Sequence, residues 1–412
     1  MNQPQIAYIS FDIVPAPKGA AIHIAAFSQS LAAAFGHIQL VTVSPTTEHI
    51  ENHELFPQVM QIMLPAVGRN LISRVLYFQN LLRGWLQNRH FAAIHIRSIY
   101  EGFVIALNKK QYCDQLIFEV NGLPSIELKY RYPGVVEDRE LLHKLNSQEQ
   151  ICLTAADLII TPSHVTAAYL QSRDVPANKI RVIPNGVDLD VFTYNHNCGS
   201  DTLAAKINYT EQAFTPAEVI KMIYFGTLSP WQGVNLAIEA LELINKDVPA
   251  YLTVIGQAKD DQIKKLQQLA LKLGIADKLT ILEPTSQIQL VEYIHASDMI
   301  VAPLMPSDRN LLQGCCPLKI LEGMATGVPV IASDLPVVRE LGEDTVHFLL
   351  VKPGSAKAIK DAVLQLHEHR ELATKLAENA RQRIEKYYTW KLAGKALTAA
   401  YAQLGIKRLS KI

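Results

Sequence analysis

Short runs of apolar and β-branched residues recur along the chain, each followed by a longer stretch in which apolar positions return roughly every three to four residues. The first kind of run suits strands buried on both faces, and the second suits helices lying against them. This pattern predicts strands at 6–10, 39–43, 92–96, 115–120, 157–161 and 180–184 in the first half. A second set is predicted at 221–226, 251–256, 278–282, 298–303, 329–333 and 346–351. Strands alternating with amphipathic helices define an α/β protein, here with two doubly wound, Rossmann-like domains on parallel sheets. Between the two sets, residues 192–219, "FTYNHNCGSDTLAAKINYTEQAFTPAEV", are polar, turn-rich and aperiodic, as expected of a linker.

Composition narrows this picture. A chain of 412 residues exceeds one ordinary core, which agrees with two domains. Its 39 Lys and Arg balance 39 Asp and Glu, so the molecule as a whole carries no basic surplus for nucleic acid and none is expected as a partner. The five cysteines (Cys113, Cys152, Cys198, Cys315, Cys316) include no C-x-x-C pair, so neither a disulfide framework nor a zinc site is expected, and a reducing cytoplasm fits. The opening "MNQPQIAYISFDIVPAPKGA" has Asp12 inside its apolar run and no basic segment before it, unlike a secretory signal. No stretch approaches the roughly 20 apolar residues that span a bilayer, so any membrane role is expected to be peripheral.

Open α/β sheets bind ligands beyond the carboxyl ends of their strands, and two such domains facing each other would put a central cleft there. In "PAPKGAAIH", Gly19 stands at a helix start, where free N–H groups can meet an anion or where the glycine merely permits a turn. "YFGTLSPWQGVNLAIEAL" repeats the arrangement with Gly226, Thr227, Trp231, Gln232 and Gly233. Neither loop has the G-x-G-x-x-G of a dinucleotide oxidoreductase. "AAIHIRSIYEG" sets His95 and Arg97 on one face of a strand end, and "FEVNGLPSIE" sets Glu119 and Asn121 at the next. A carboxylate there can orient a hydroxyl, accept its proton or cap the following loop. In "GCCPLKILEGMATGVPVIASD", Lys319 and Glu322 lie three residues apart on one helix face, as an ion pair or as ligand groups.

The segment "ADLIITPSHVTAAYLQSRDVPANKIRVIPNGVDLDVF" (156–192) resembles the signature of the retaining family 4 glycosyltransferases. So do the glycine loop at 226–233, "ASDMIVAP" at 296–303, "EGMATGVPVIASD" at 322–334 and the closing "YYTWKLAGKALTAAYAQL". The resemblance implies a GT-B fold. It divides the chain into an acceptor domain at 1–195, a nucleotide-sugar donor domain at 196–388 and a helix at 389–412 crossing back to the first domain. It implies no cofactor and no obligatory metal. Members carry two Glu eight positions apart; Glu322 matches the second, near the ribose, whereas Gly314 stands in place of the first. Backbone N–H groups of Gly314, Cys315 and Cys316 are the expected substitutes. Thr227 and Gln232 stand where members commonly have Arg and Lys on the diphosphate, which leaves Lys319 as the replacement cation.

The expected donor set is therefore Gly19, Gly226, Thr227, Gln232, Gly314, Cys315, Cys316, Lys319 and Glu322. The expected acceptor set is His95, Arg97, Glu119 and Asn121, with Lys319, Arg97 and Glu119 catalytic and no metal ligand. The function implied is retaining transfer of a hexose from a nucleotide diphosphate sugar, most commonly UDP-linked in the family, to a hydroxyl acceptor such as a lipid-linked or polysaccharide precursor. Two other readings stay open at this point: a noncatalytic sugar-nucleotide-binding protein and a sugar-nucleotide epimerase on the same fold. From Leu55 to Tyr100 there is no Asp or Glu but five Arg (Arg69, Arg74, Arg83, Arg89, Arg97). Within it Leu71, Val75, Phe78, Leu82 and Trp85 recur at helical spacing, either to lie on an anionic membrane surface at the cytoplasmic face or to pack on their own sheet.

Overall fold

The computed structural model describes residues 5–46, 49–195 and 219–408. Most of the expected linker, with Cys198, lies outside them. The chain divides into two compact units. The first is formed by 1–185, 312–315 and 390–412, and the second by 186–311 and 316–389.

The first unit holds an eight-stranded sheet: β1 (Ile6–Ile9), β2 (Ile38–Val43), β3 (Glu51–Phe56), β4 (Val59–Leu64), β5 (Phe91–Ile96), β6 (Cys113–Glu119), β7 (Leu158–Thr161) and β8 (Ile180–Val182). Their order is β3-β4-β2-β1-β5-β6-β7-β8. All six strands expected for this half are present; β3 and β4 are additional. β3 runs antiparallel to β4, so the sheet is mixed where a fully parallel one was expected. Two causes hid the hairpin. Glu51–Glu54 are exposed and carry no apolar alternation, and the turn uses Gln58 at φ 65° in place of the Asn-Gly or Asp-Gly that signals such turns.

Alternation along the strands sends side chains to opposite faces. Ala7, Ile9, Ile94, Ile96, Leu116 and Phe118 pack on one face with Phe78, Leu82 and Leu86 of α2 (Leu71–Leu86). Ile6, Tyr8, Leu40 and Ile117 pack on the other with α1 (Gly19–Phe35) and with Leu397 and Tyr401 of the last helix, Trp390–Gln403. The arginine-flanked stripe thus folds inward along Phe78 and Leu82, with Leu71, Val75 and Trp85 half-buried. The apolar side chains that α2 leaves outside are Ile72 (56% exposed), Leu76 (60%) and Tyr77 (44%).

The second unit holds a six-stranded parallel sheet: β9 (Ile220–Phe225), β10 (Ala250–Ile255), β11 (Leu279–Leu282), β12 (Met299–Ala302), β13 (Val330–Ser333) and β14 (Leu349–Val351). Their order is β11-β10-β9-β12-β13-β14, and every pairing is parallel. All six match expected strands, β14 in shortened form because Thr345 takes φ 58° and turns the chain ahead of it. β9 is central and wholly buried, which puts its carboxyl end and the Gly226 loop beside helix Leu318–Ala325. The second glycine of the loop, Gly233 at φ 73°, permits a close approach: a Cβ there would stand 1.9 Å from the carbonyl oxygen of Pro303.

Candidate functional site

Each unit gathers polar side chains at the carboxyl ends of its central strands. In the first unit the centre is Glu119 at the end of β6, 1% exposed. Its Oε2 accepts from Tyr8 Oη at 2.8 Å and from His95 Nε2 at 2.9 Å. Its Oε1 accepts from Arg97 Nε at 3.2 Å and from Asn121 Nδ2. His23 Nε2 approaches the same oxygen at 2.8 Å, while its Nδ1 meets Asn185 Oδ1 at 2.7 Å. Burial alone would push the Glu119 carboxyl upward, but the charges of His23 and Arg97 and these donors hold it well below the usual carboxylate range.

His95 is fully buried, and burial lowers its pKa, so the ring is neutral. Its Nε2–H then donates to Glu119 and its Nδ1 accepts from Tyr401 Oη at 2.7 Å. With both nitrogens engaged, His95 acts on a ligand only through Glu119. Arg97 extends the network to Asp12 (Nη1 to Oδ2, 3.3 Å), and Asp12 to Lys18 (2.8 Å) at the N-cap of α1. Burial opposes the charge of Asp12, yet Arg97 and Lys18 hold its carboxyl low. Gly19 opens α1, whose start has no side-chain cap, so the first turn presents backbone N–H groups beside Lys18.

Sequence reasoning named Arg97, Glu119, His95 and Asn121, and the fold brings all four together. It missed Tyr8, His23, Lys18 and Tyr401 as their partners, and it used Asp12 only against a signal peptide. It also missed Glu101, fully buried, whose carboxylate accepts from the N–H groups of Arg97 (2.8 Å), Ser98 (2.7 Å) and Phe11 (3.3 Å). Glu101 thereby ties the loops after β1 and β5, which carry Asp12 and Arg97. The S-x-x-E spacing of Ser98 and Glu101 was the available signal, a capping box for the helix Ile99–Leu107.

In the second unit Lys319 is 7% exposed. Its Nζ donates to Tyr224 Oη at 2.7 Å and stands 3.9 Å from the centre of the Tyr224 ring. Glu322 is buried three residues on, but no ion pair within 4.0 Å joins the two side chains. Burial pulls the Lys319 ammonium well below the ordinary lysine range, with Glu322 opposing; burial pushes the Glu322 carboxyl up to about 7, with Lys319 opposing. Gly226 takes φ 117°, and a Cβ there would meet Lys319 Cε at 3.3 Å. Thr227 presents its carbonyl to Tyr224 Oη at 2.6 Å. Gln232 is buried with its Oε1 lacking a hydrogen-bond partner, and Trp231 lies under the Arg309 guanidinium at 4.1 Å.

Gly314, at φ 82°, belongs to the first unit and packs so closely on Ser163 and Thr166 that a Cβ would stand 2.6 Å from Thr166 N. Its neighbour Gln313 accepts from the Leu123 N–H at 2.8 Å. Cys315 and Cys316 are buried thiols. Among the described residues, no group of three or more His, Cys, Asp or Glu is placed to hold a metal ion.

Two Rossmann-like units of this strand order define the GT-B fold. The solved sucrose-phosphate synthase from Thermosynechococcus elongatus superposes with a TM-score of 0.80 at 22% identity, over 98% of this chain and 99% of that one. Anabaena HepE, solved in complex with UDP and glucose, gives 0.71 at 16% identity over 97% and 100%. Family models match along most of the length: Glycosyltransferase Family 4 over residues 17–191 and Glycosyl transferases group 1 over 206–383. The chain belongs to the group 1, family 4 glycosyltransferases. A D-inositol 3-phosphate glycosyltransferase of Xylanimonas cellulosilytica is 24% identical over 278 residues, 67% of this chain and 63% of the relative's own length.

Proposed function

We propose that this protein is a retaining glycosyltransferase that moves a hexosyl group from a nucleotide diphosphate sugar, UDP-linked in the first instance, to a hydroxyl acceptor. The observation that carries the reading is Lys319: a buried amine that forms no ion pair among the described residues, held at the loop after the central strand. Burial disfavours the charged form of this amine, and a bound diphosphate would supply the anion that restores it. The HepE structure, with UDP and glucose bound, supports the choice of donor.

The proposed chemistry is a displacement on one face of the sugar. The bond from the sugar's anomeric carbon to the β-phosphate oxygen breaks as the acceptor oxygen bonds to the same face. The acceptor proton passes to the departing phosphate. Lys319 meets the charge that develops on the leaving group, so the step is assigned no metal or cofactor. In the second unit, Glu322 receives ribose hydroxyls and the Gly226–Thr227 backbone meets phosphate; in the first unit, the Gly19 backbone meets an anionic group. Gln232 offers its unpartnered Oε1 to a ligand donor. On the acceptor side, Asn121, Asp12 and Lys18 are the partly exposed members of the network that Glu119, His95 and Arg97 fix.

Thermal stabilisation by a panel of nucleotide sugars identifies the donor. Nucleoside diphosphate release in the presence of EDTA, with product anomeric configuration read by NMR, then tests the reaction. Binding without turnover across acceptors would leave a binding protein, and a changed sugar still on its nucleotide would mean an epimerase.

We also propose that the acceptor is presented at an anionic membrane surface. Ile72, Leu76 and Tyr77 project from α2 within a stretch that has arginines and no acids. Among the described residues no helix is long and apolar enough to cross a membrane. Cosedimentation with phosphatidylglycerol vesicles should fall with added salt and with Leu76→Glu or Arg83→Glu. Failure of the wild type to bind such vesicles at low salt would direct the search to acceptors free in solution.

A further inference from the structure

We infer that Tyr224 is the residue that positions Lys319 against the donor diphosphate, an assignment that rests on the reading of Lys319 given above. Three features of the second unit converge on this side chain. Tyr224 lies on the central strand β9 and is fully buried, so its hydroxyl must find partners inside the protein. Its one proton goes to the carbonyl oxygen of Thr227 at 2.6 Å, which leaves the oxygen free to accept. Lys319 Nζ fills that position at 2.7 Å and rests on the ring face at 3.9 Å. A single hydroxyl therefore fixes the lysine head relative to the very loop on which the diphosphate is placed.

The geometry leaves capacity for a ligand. An ammonium has three donors, and Tyr224 takes one, with its ring face adding electrostatic support. Glu322, from the same helix as Lys319, is the other charged group acting on it and makes no ion pair with it. Gly226 leaves the space that the lysine occupies: a Cβ would press on Cε at 3.3 Å and on Nζ at 3.4 Å. A flexible lysine would otherwise lose rotamer freedom on engaging a phosphate, and Tyr224 has already fixed it. The loop at 226–233 itself carries neither Arg nor Lys. Tyr224 brings a cation from another helix to the same loop.

Calorimetric titration with UDP, ADP and GDP, each beside its monophosphate, tests this on wild type, Tyr224→Phe and Lys319→Met. The ratio of diphosphate to monophosphate affinity isolates the contact with the second phosphate, and a general loss of stability would not change it. For the diphosphate that wild type binds most tightly, Tyr224→Phe should weaken binding about tenfold and leave the monophosphate unchanged. Lys319→Met should bring the diphosphate close to its monophosphate. If Tyr224→Phe keeps the wild-type ratio while Lys319→Met loses it, Tyr224 has no positioning role although the reading of Lys319 stands. If Lys319→Met also keeps the ratio, or if wild type prefers no diphosphate, both fall.

Discussion

At the scale of single residues, the proposed donor half-site combines an acid and a base that burial drives toward neutrality. Glu322 is an acid whose folded pKa stands at about 7, above its ordinary range. Such a group binds its proton more tightly when folded, so its contribution is complete below the ordinary carboxylate range and is lost as pH rises through about 7. The unliganded protein should therefore be less stable to urea at pH 8 than at pH 5 on this residue's account, and Glu322→Gln should flatten that slope. An unchanged slope in the variant would assign it to another group. Glu322→Ala should also weaken nucleoside diphosphate binding while retaining the fold, if the carboxylate receives ribose hydroxyls. Gly226→Ala tests the neighbouring position. At φ 117°, with Lys319 at 3.3 Å, an alanine should cost about 1–3 kcal/mol of stability and displace the lysine, seen as a lower melting temperature together with weaker diphosphate binding.

At the scale of elements, twelve of the fourteen strands among the described residues were legible because each is an apolar run flanked by turn residues. The hairpin of β3 and β4 was not, since an exposed edge strand needs no apolar pattern to pair. The candidate sites divide in the same way. Gly226, Gly314, Lys319 and Glu322 stood out locally, as glycines or charges in apolar runs. The network around Glu119 did not, because its members come from distant strands and helices: Tyr8 is 111 positions from Glu119, and Tyr401 is 306 from His95. No spacing rule reaches that far, and a buried tyrosine reads as core until its hydroxyl's partner is known. Tyr401 shows what the last helix, Trp390–Gln403, contributes beyond packing on α1. Its O–H satisfies Nδ1 and so holds His95 in the tautomer that donates to Glu119. Tyr401→Phe leaves that nitrogen without a partner in a dry site. The expected loss is about 1–3 kcal/mol in urea unfolding, and a neutral result would show that water or a shifted ring replaces the hydroxyl.

At the scale of the whole molecule, the two compact units have separate hydrophobic clusters. One set is built around Ile9, Phe118, Tyr8 and Phe27, and the other around Met222, Val254, Val301 and Val363. A chain of this length with two cores need not unfold in a single step, and calorimetry is expected to resolve two transitions. The proposed donor groups Gly226, Lys319 and Glu322 lie in the second unit, whereas Arg97, Glu119 and His95 lie in the first. A nucleoside diphosphate that binds folded protein at 100 times its dissociation constant adds about 2.7 kcal/mol to the species it binds. One transition should accordingly move to higher temperature as the ligand is added. Lys319→Met should abolish the shift, whereas Arg97→Gln should leave it in place even if that variant unfolds at lower temperature without ligand. A shift that survives Lys319→Met but disappears in Arg97→Gln would place the diphosphate on the first unit and reverse the assignment of donor and acceptor halves.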